Sequence, residues 1–239
     1  SSTLSTSTDL LWKQKGLIVN NALNVANEGY FGNIIVLTYD VYHPYRQVKY
    51  TQNNYHFYAD HGALRVYDAW ATGSSTGVGE NGEITASDTP PFGDEMVRLR
   101  MSVVVSSTTV ASSSARFKLQ YAATSSSCGA IATSSWNDLG DNGSLVAAWR
   151  GTSTPVSTGT PLSTNPFTSG DLVLSTSNRA GTLESGSTTR YNLWPYIENE
   201  EVEYDWAISP NPGVVATSTR YCFRMVGDDG TPFWKYTNY

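Results

Sequence analysis

The nine residues from Val97 to Val105 read Val-Arg-Leu-Arg-Met-Ser-Val-Val-Val, with an apolar side chain at every second position. A period of two is typical of a β-strand, because successive side chains of a strand point to opposite faces of the sheet. Val97, Leu99 and Met101 would face a core, and the two arginines between them would face solvent. The stretch therefore predicts a half-buried strand of an antiparallel sheet.

Three later segments show the same alternation. They are Arg116–Tyr121, Glu201–Ile208 and Tyr221–Val226. In the last segment we place Tyr221, Phe223 and Met225 toward the core. The Gly-Asp-Asp-Gly sequence of residues 227–230 follows it, and Asp-Gly favours the backbone conformation of a tight hairpin turn. We therefore expect Pro232–Thr237 to return beside this strand as an antiparallel edge strand.

Loops rich in Ser, Thr, Gly and Pro separate these segments, and no long amphipathic helix is evident. Several short alternating strands with regular turn signals are typical of two packed antiparallel sheets. The sequence predicts an all-β chain with an antiparallel β-sandwich of the fibronectin III or immunoglobulin-like kind over residues 49–239. Asn54–Tyr58 and Glu83–Thr85 are expected to be further strands of that domain.

Residues 1–48 have a different pattern and predict an extended N-terminal arm together with the first strands. The apolar residues that we assign to this assembly arm are Leu17, Ile18, Val19, Leu23 and Val25. Leu17 and Val19 share one parity of an extended chain, and a second strand is expected at Asn33–Val41.

The composition bears on partners and on cellular location. The chain has 239 residues, of which 56 are Ser or Thr, and a net charge of −6. Nucleic-acid binding needs a basic face, so we predict none. The longest apolar run, Ile34–Leu37, is far shorter than the ~18 residues of a membrane helix, so we expect no membrane insertion. The opening at Ser1, without a Met, fits a mature end left after a leader was removed.

Two stretches resemble strands of known sandwich domains. Arg116–Tyr121, followed by Trp136–Leu139, is similar to the third strand and following hairpin of fibronectin type III and immunoglobulin-like domains. Arg220–Val226 resembles the sixth strand of those domains.

Four pieces together resemble a recurrent domain of large secreted surface proteins from candidate-phylum bacteria and metagenomes. They are Tyr50–Tyr55, Val97–Ser102, Phe117–Tyr121 and Tyr221–Met225. The resemblance covers about residues 49–239. That family has no established biochemical activity, so the resemblance implies a sandwich fold and an extracellular or cell-surface location.

Cys128 and Cys222 are the only cysteines and lie 94 positions apart. An even count in a chain rich in Ser and Thr fits a disulfide formed in an oxidising compartment. A closed loop of this size would stabilise the fold by roughly 4 to 5 kcal/mol. Two unrelated free thiols are the alternative.

Charged residues at the polar positions of the strands allow two interpretations. They are Arg98, Arg100, Lys118, Arg224, Glu201, Glu203 and Asp205. A glycosidase needs two carboxyls whose pKa values differ, whereas carboxylates that alternate along one strand face would be equally solvated. We therefore expect a solvated ladder of cross-strand ion pairs, each contributing ~0.2 to 1 kcal/mol, and no catalytic residues.

Other candidate ligand-binding side chains are His43, His56 and His61 with Asp60, and the loop aromatics Trp70, Tyr191, Trp194 and Tyr196. The histidine spacing matches no metal-binding motif, so we predict no metal site and no cofactor. The aromatics would stack on sugars only if they were exposed and coplanar, and aromatic residues in loops more often cover the end of a core.

These observations favour a non-enzymatic extracellular structural protein, a subunit of a surface filament or sheath. Its arm would add as a strand to the sheet of a neighbouring copy and satisfy the unpaired backbone groups of that edge. A head-to-tail contact of this kind builds an open homopolymer unless it closes into a ring. The alternative is a cell-surface adhesion or carbohydrate-binding module whose partner is a polysaccharide.

Overall fold

The computed structural model describes the backbone of residues 13–20 and 35–41, and residues 47–64, 66, 68–70, 77–85, 90–162, 178–216 and 219–239. Among these residues, no helix has the length and apolar character needed to cross a membrane. The chain divides into two compact units, Ser1–Gln47 and Val48–Tyr239.

The described residues of the N-terminal unit form a two-stranded antiparallel sheet. Strand β1 (Lys13–Asn20) pairs with strand β2 (Ile35–Val41), and Leu17 lies opposite Thr38. The described part of the predicted strand at Asn33–Val41, residues Ile35–Val41, is a strand as expected. Leu23 and Val25 of the predicted arm lie outside the described residues.

The C-terminal unit contains a large first sheet. Its strands are β3 (Lys49–Ala59), β4 (Val97–Ser106), β7 (Trp149–Gly151), β8 (Thr160–Pro161), β9 (Arg179–Glu184), β10 (Glu201–Pro210) and β12 (Lys235–Tyr236). Their spatial order is β12-β3-β4-β10-β9-β8, with β7 paired to the end of β10. Most pairs are antiparallel, whereas β9 with β10 and β12 with β3 are parallel.

The second sheet is smaller. Its strands are β5 (Phe117–Thr124), β6 (Asn137–Asp138) and β11 (Arg220–Gly227), in the order β11-β5-β6. Two short 3₁₀ helices, Cys128–Ala130 and Thr133–Ser135, lie between β5 and β6.

The two sheets pack face to face and confirm the predicted all-β sandwich. Leu99, Trp206 and Met225 come from both sheets and are completely buried between them. The ring of Phe117 meets that of Tyr204 edge-on at 5.5 Å, a favoured arrangement of aromatic pairs. Each such large apolar side chain contributes about 1.5 to 3 kcal/mol by its removal from water. The alternating positions predicted to face the core therefore do so.

The predicted disulfide is present. Cys128 at the start of a 3₁₀ helix is bonded to Cys222 on β11, and their Cα atoms are 5.7 Å apart. The bond joins the loop after β5 to the neighbouring strand of the same sheet.

Two of the predicted strands are wrong. Residues 83–85 form no strand. Residues 232–237 do not follow β11: after the turn, in which Gly230 has a φ of 86°, only Pro232 bridges back to Val226. The chain then crosses to the first sheet, where Lys235 pairs in parallel with Thr51. Proline has no N–H to donate to a ladder, so an antiparallel return would lose a hydrogen bond at its first residue.

Candidate functional site: an open strand edge and a cavity

Strand β11 is an edge strand of the second sheet, and its outer side faces away from β5. In an antiparallel pair, alternate residues direct their backbone groups toward the partner strand and away from it. On β5, the N–H of Leu119 donates to Ser187 and its carbonyl accepts from Leu139, both on the side away from β11. The β11 residues opposite Leu119 and Tyr121 are Met225 and Phe223, so these two, and Tyr221, direct their backbone groups away from β5.

At Met225 this edge is closed by side chains. The Met225 N–H donates to Gln52 Oε1 at 2.7 Å, and the Met225 carbonyl accepts from Tyr236 Oη at 2.9 Å. Gln52 is fully buried, and its Nε2 donates in turn to the carbonyl of Asn238. Two side chains therefore take the place of a neighbouring strand at this end of β11.

Two and four residues earlier, the same edge is open. The outward N–H and C=O groups of Tyr221 and Phe223 have no hydrogen-bond partner among the described residues. Phe223 exposes only 5% of its surface, so solvent has little access to it. A buried polar group without a partner costs about 1 to 3 kcal/mol. An added strand would supply hydrogen-bond partners for these groups.

A cavity of about 480 Å³ lies beside this edge. Its lining includes Phe57, Leu99, Met101, Trp149, Tyr221 and Phe223. The indole N–H of Trp149 is buried and has no hydrogen-bond partner in the described part of the chain. Glu83 and Arg220, also in the lining, form an ion pair with half-exposed side chains, which marks the solvent end of the cavity. The volume is within the range of known ligand sites, about 300 to 1,000 Å³.

The charged residues of β4 and β10 form cross-strand ion pairs but not a solvated ladder, so that prediction is wrong. Asp205 lies opposite Arg100, and both are fully buried, as is Arg98. Both Arg98 Nε and Nη2 donate to the Asp205 carboxylate, at 3.0 and 2.8 Å. Arg100 contacts Asp205 at 3.1 Å and Glu203 at 3.6 Å. Glu201, at the start of β10, is the partly exposed member of the row.

The residues after β3 cover this charged face and explain its burial. Arg98 Nη1 donates to the carboxylate of Asp60 at 3.0 Å and to the carbonyl of Ala63 at 2.9 Å. Burial by itself raises the pKa of Asp205, but Arg98 and Arg100 together hold it below its usual range. The cluster is therefore a paired structural network that fixes the register of β4 against β10.

The remaining predicted cations differ in exposure. Arg224 is buried rather than solvated: its guanidinium lies 4.3 Å from the ring centre of Trp136 and donates to Gln120. A cation over an aromatic face is stabilised without water, which explains the burial. Lys118 lies near the surface, as predicted, but its partner is Asp138 on β6, at 3.1 Å, and not an acid of β10.

The four loop aromatics do not form one exposed platform. Trp70 and Tyr196 are buried in the core, at 3% and 2% exposure, and the hydroxyl of Tyr196 contacts that of Tyr204. Tyr191 and Trp194 are about half exposed. The structure thus leaves two of the four candidates accessible to a sugar.

The two described histidines have separate partners. His43 lies outside the described residues, His56 contacts the carbonyl of Val78 at 2.7 Å, and His61 contacts Asp68 at 2.9 Å. Within the described ranges, no three ligand-type side chains are grouped so that they could hold a metal ion.

Comparisons with known proteins identify no relative of this chain. No family model, no curated protein and no solved structure matches this chain. The resemblance to a domain of secreted bacterial surface proteins stays a prediction from the quoted motifs.

Proposed function

We propose that this chain is an extracellular structural protein, a subunit of a surface filament or sheath whose copies are joined by N-terminal strand exchange. The observation that carries the proposal concerns the secondary structure of the N-terminal unit: its described residues form one two-stranded sheet. A two-stranded hairpin is marginally stable in water on its own, and a third strand or a packing surface is needed to stabilise it. A neighbouring sandwich would supply that surface.

Two further features support the proposal. The disulfide between Cys128 and Cys222 suits an oxidising location outside the cell. Part of the β11 edge has no hydrogen-bond partner among the described residues, and an open edge is the feature by which sheets accept a strand from another chain. The same contact repeated from copy to copy is heterologous and extends into a filament unless the rotation closes a ring.

The test is the assembly state of the full chain, measured by sedimentation velocity and negative-stain electron microscopy across a concentration series. We expect filaments or rings for the wild-type chain. Val19→Asp places a charge among the apolar residues of β1 and should abolish assembly. Asn20→Asp adds the same charge at a position that is already polar and should preserve assembly.

A wild-type chain that stays monomeric over the whole series would overturn the proposal. If that monomer bound an immobilised polysaccharide, the carbohydrate-binding alternative would replace it. Assembly that Val19→Asp leaves unchanged would show that the copies are joined by another surface.

A further inference from the structure

We infer that the open edge of β11 and the cavity beside it form the acceptor site for strand β1 of a second copy of this chain. The inference rests on the proposed function and names the surface that the exchanged strand occupies.

The unsatisfied groups select a peptide strand over a small apolar molecule. Tyr221 and Phe223 offer two N–H donors and two C=O acceptors, spaced by one residue as in a β-ladder. An apolar molecule in the cavity would leave all four groups without partners, whereas an added strand bonds to them in the usual ladder pattern. The side chains of Gln52 and Tyr236 at Met225 set one end of the docking stretch.

The cavity matches the alternation of side chains along an incoming strand. The Tyr221 and Phe223 side chains face the inside of the sandwich, where they line the cavity. A strand added to this edge directs every second side chain into the same space. Leu17 and Val19 of β1 share one parity and are apolar, so this half of the row suits an apolar lining, whereas Lys15 and Lys13 occupy the other half of the same row. Two aliphatic side chains of the second copy would then occupy volume that is empty in the single chain.

Charge favours β1 over β2 as the added strand. Residues 1–47 contain three basic and three acidic residues, so the net charge of −6 lies on residues 48–239. The charges of β1 are Lys13 and Lys15, whereas β2 carries Asp40. A strand with basic residues is attracted to an acidic body, and one with a carboxylate is repelled. With β1 added, the continuous sheet would have the order β2-β1-β11-β5-β6.

A proline at the open edge tests the acceptor in the full chain. Tyr221→Pro removes an N–H for which the described residues supply no partner, and an edge strand tolerates such a proline. Arg220, which precedes it, is already extended in β11, as a residue before proline prefers. The matched control Tyr221→Ala also loses the side chain but keeps the N–H. We expect Tyr221→Pro to weaken association by about tenfold relative to Tyr221→Ala in sedimentation velocity.

Hydrogen exchange of the wild-type chain gives a second measurement that does not depend on the folding of a variant. Before assembly, the amides of Tyr221 and Phe223 should exchange faster than those of Cys222 and Arg224, which are bonded to β5. On assembly at higher concentration, the first two should become protected.

The outcomes separate this inference from the proposed function. A chain that never assembles overturns both. Assembly in which Tyr221→Pro equals Tyr221→Ala, or in which the amides of Tyr221 and Phe223 gain no protection, overturns the acceptor and leaves strand exchange at another edge.

Discussion

Gln52 on β3 accepts the backbone N–H of Met225 on β11 across 2.7 Å, so a side chain of the first sheet completes the edge of the second. The same amide donates to the carbonyl of Asn238, which ties the last residues of the chain to this corner. The sandwich is therefore closed at one end of β11 by polar side chains. Toward Tyr221, the part of the chain that the structure describes supplies no such side chain, and a cavity lies beside the strand.

Replacement of Gln52 by methionine should destabilise the fold. Gln52→Met keeps the length of the side chain but leaves the buried N–H of Met225 without an acceptor, at a cost of about 1 to 3 kcal/mol. Urea unfolding monitored by tryptophan fluorescence measures the change. Asn53→Met is the control, because the Asn53 amide donates to Glu201 at a partly exposed site. Equal losses for the two variants would contradict a special role of Gln52.

Disruption of the buried ion network should cause a larger loss of stability. Asp205→Asn leaves Arg98 and Arg100 in the interior without their shared carboxylate, and a broken buried pair costs about 3 to 5 kcal/mol. Asp138→Asn breaks the half-exposed pair with Lys118 and should cost no more than about 1 kcal/mol. Thermal and urea unfolding of both variants would show the difference. A loss for Asp205→Asn as small as that for Asp138→Asn would mean that water reaches the network.

The sequence predicts the alternating strands well but not what covers their polar faces. Alternation of Arg98 and Arg100 with apolar residues indicates two faces of a strand and leaves open which environment the charged face meets. Here Asp60 and Ala63 cover the face by accepting hydrogen bonds from Arg98. They belong to a segment that has no periodic pattern of its own. A row of arginines opposite a row of acids in a neighbouring strand was the available signal for a buried network.

The open edge was not predictable from the sequence either. The Asp-Gly turn indicates an antiparallel return at Pro232–Thr237, and such a return would have covered β11. The chain instead crosses to β3, because Phe233 enters the core against Phe117, with ring centres 5.3 Å apart. Long-range aromatic packing thus outweighs a local turn preference, and no strand among the described residues lies on the outer side of Tyr221 and Phe223.

Reduction of the disulfide should lower stability without changing the fold. The Cys128–Cys222 bond spans 94 positions, and its loss should cost roughly 4 to 5 kcal/mol through the greater freedom of the unfolded chain. The double variant Cys128→Ala/Cys222→Ala avoids the reagent and should show the same midpoint as the reduced protein. A reductant that leaves the urea midpoint of the wild type unchanged would argue against a stabilising bond.

Acidification should destabilise the sandwich through His56. Burial is the main cause that lowers the pKa of this imidazole below 6.5, with a smaller effect from the charge of Arg100. Because the unfolded chain takes up a proton near pH 6.5 and the folded chain does so only at lower pH, stability is full above that pH. Stability falls as the pH drops through the interval between the two pKa values, and the slope corresponds to the uptake of at most one proton.

Urea unfolding at pH 5, 6, 7 and 8 should show this loss of stability in the wild type. His56→Phe keeps a ring beside Tyr58 and removes the titrating group, so its loss below pH 6.5 should be smaller. Parallel pH profiles for the two proteins would assign the acid sensitivity to other groups.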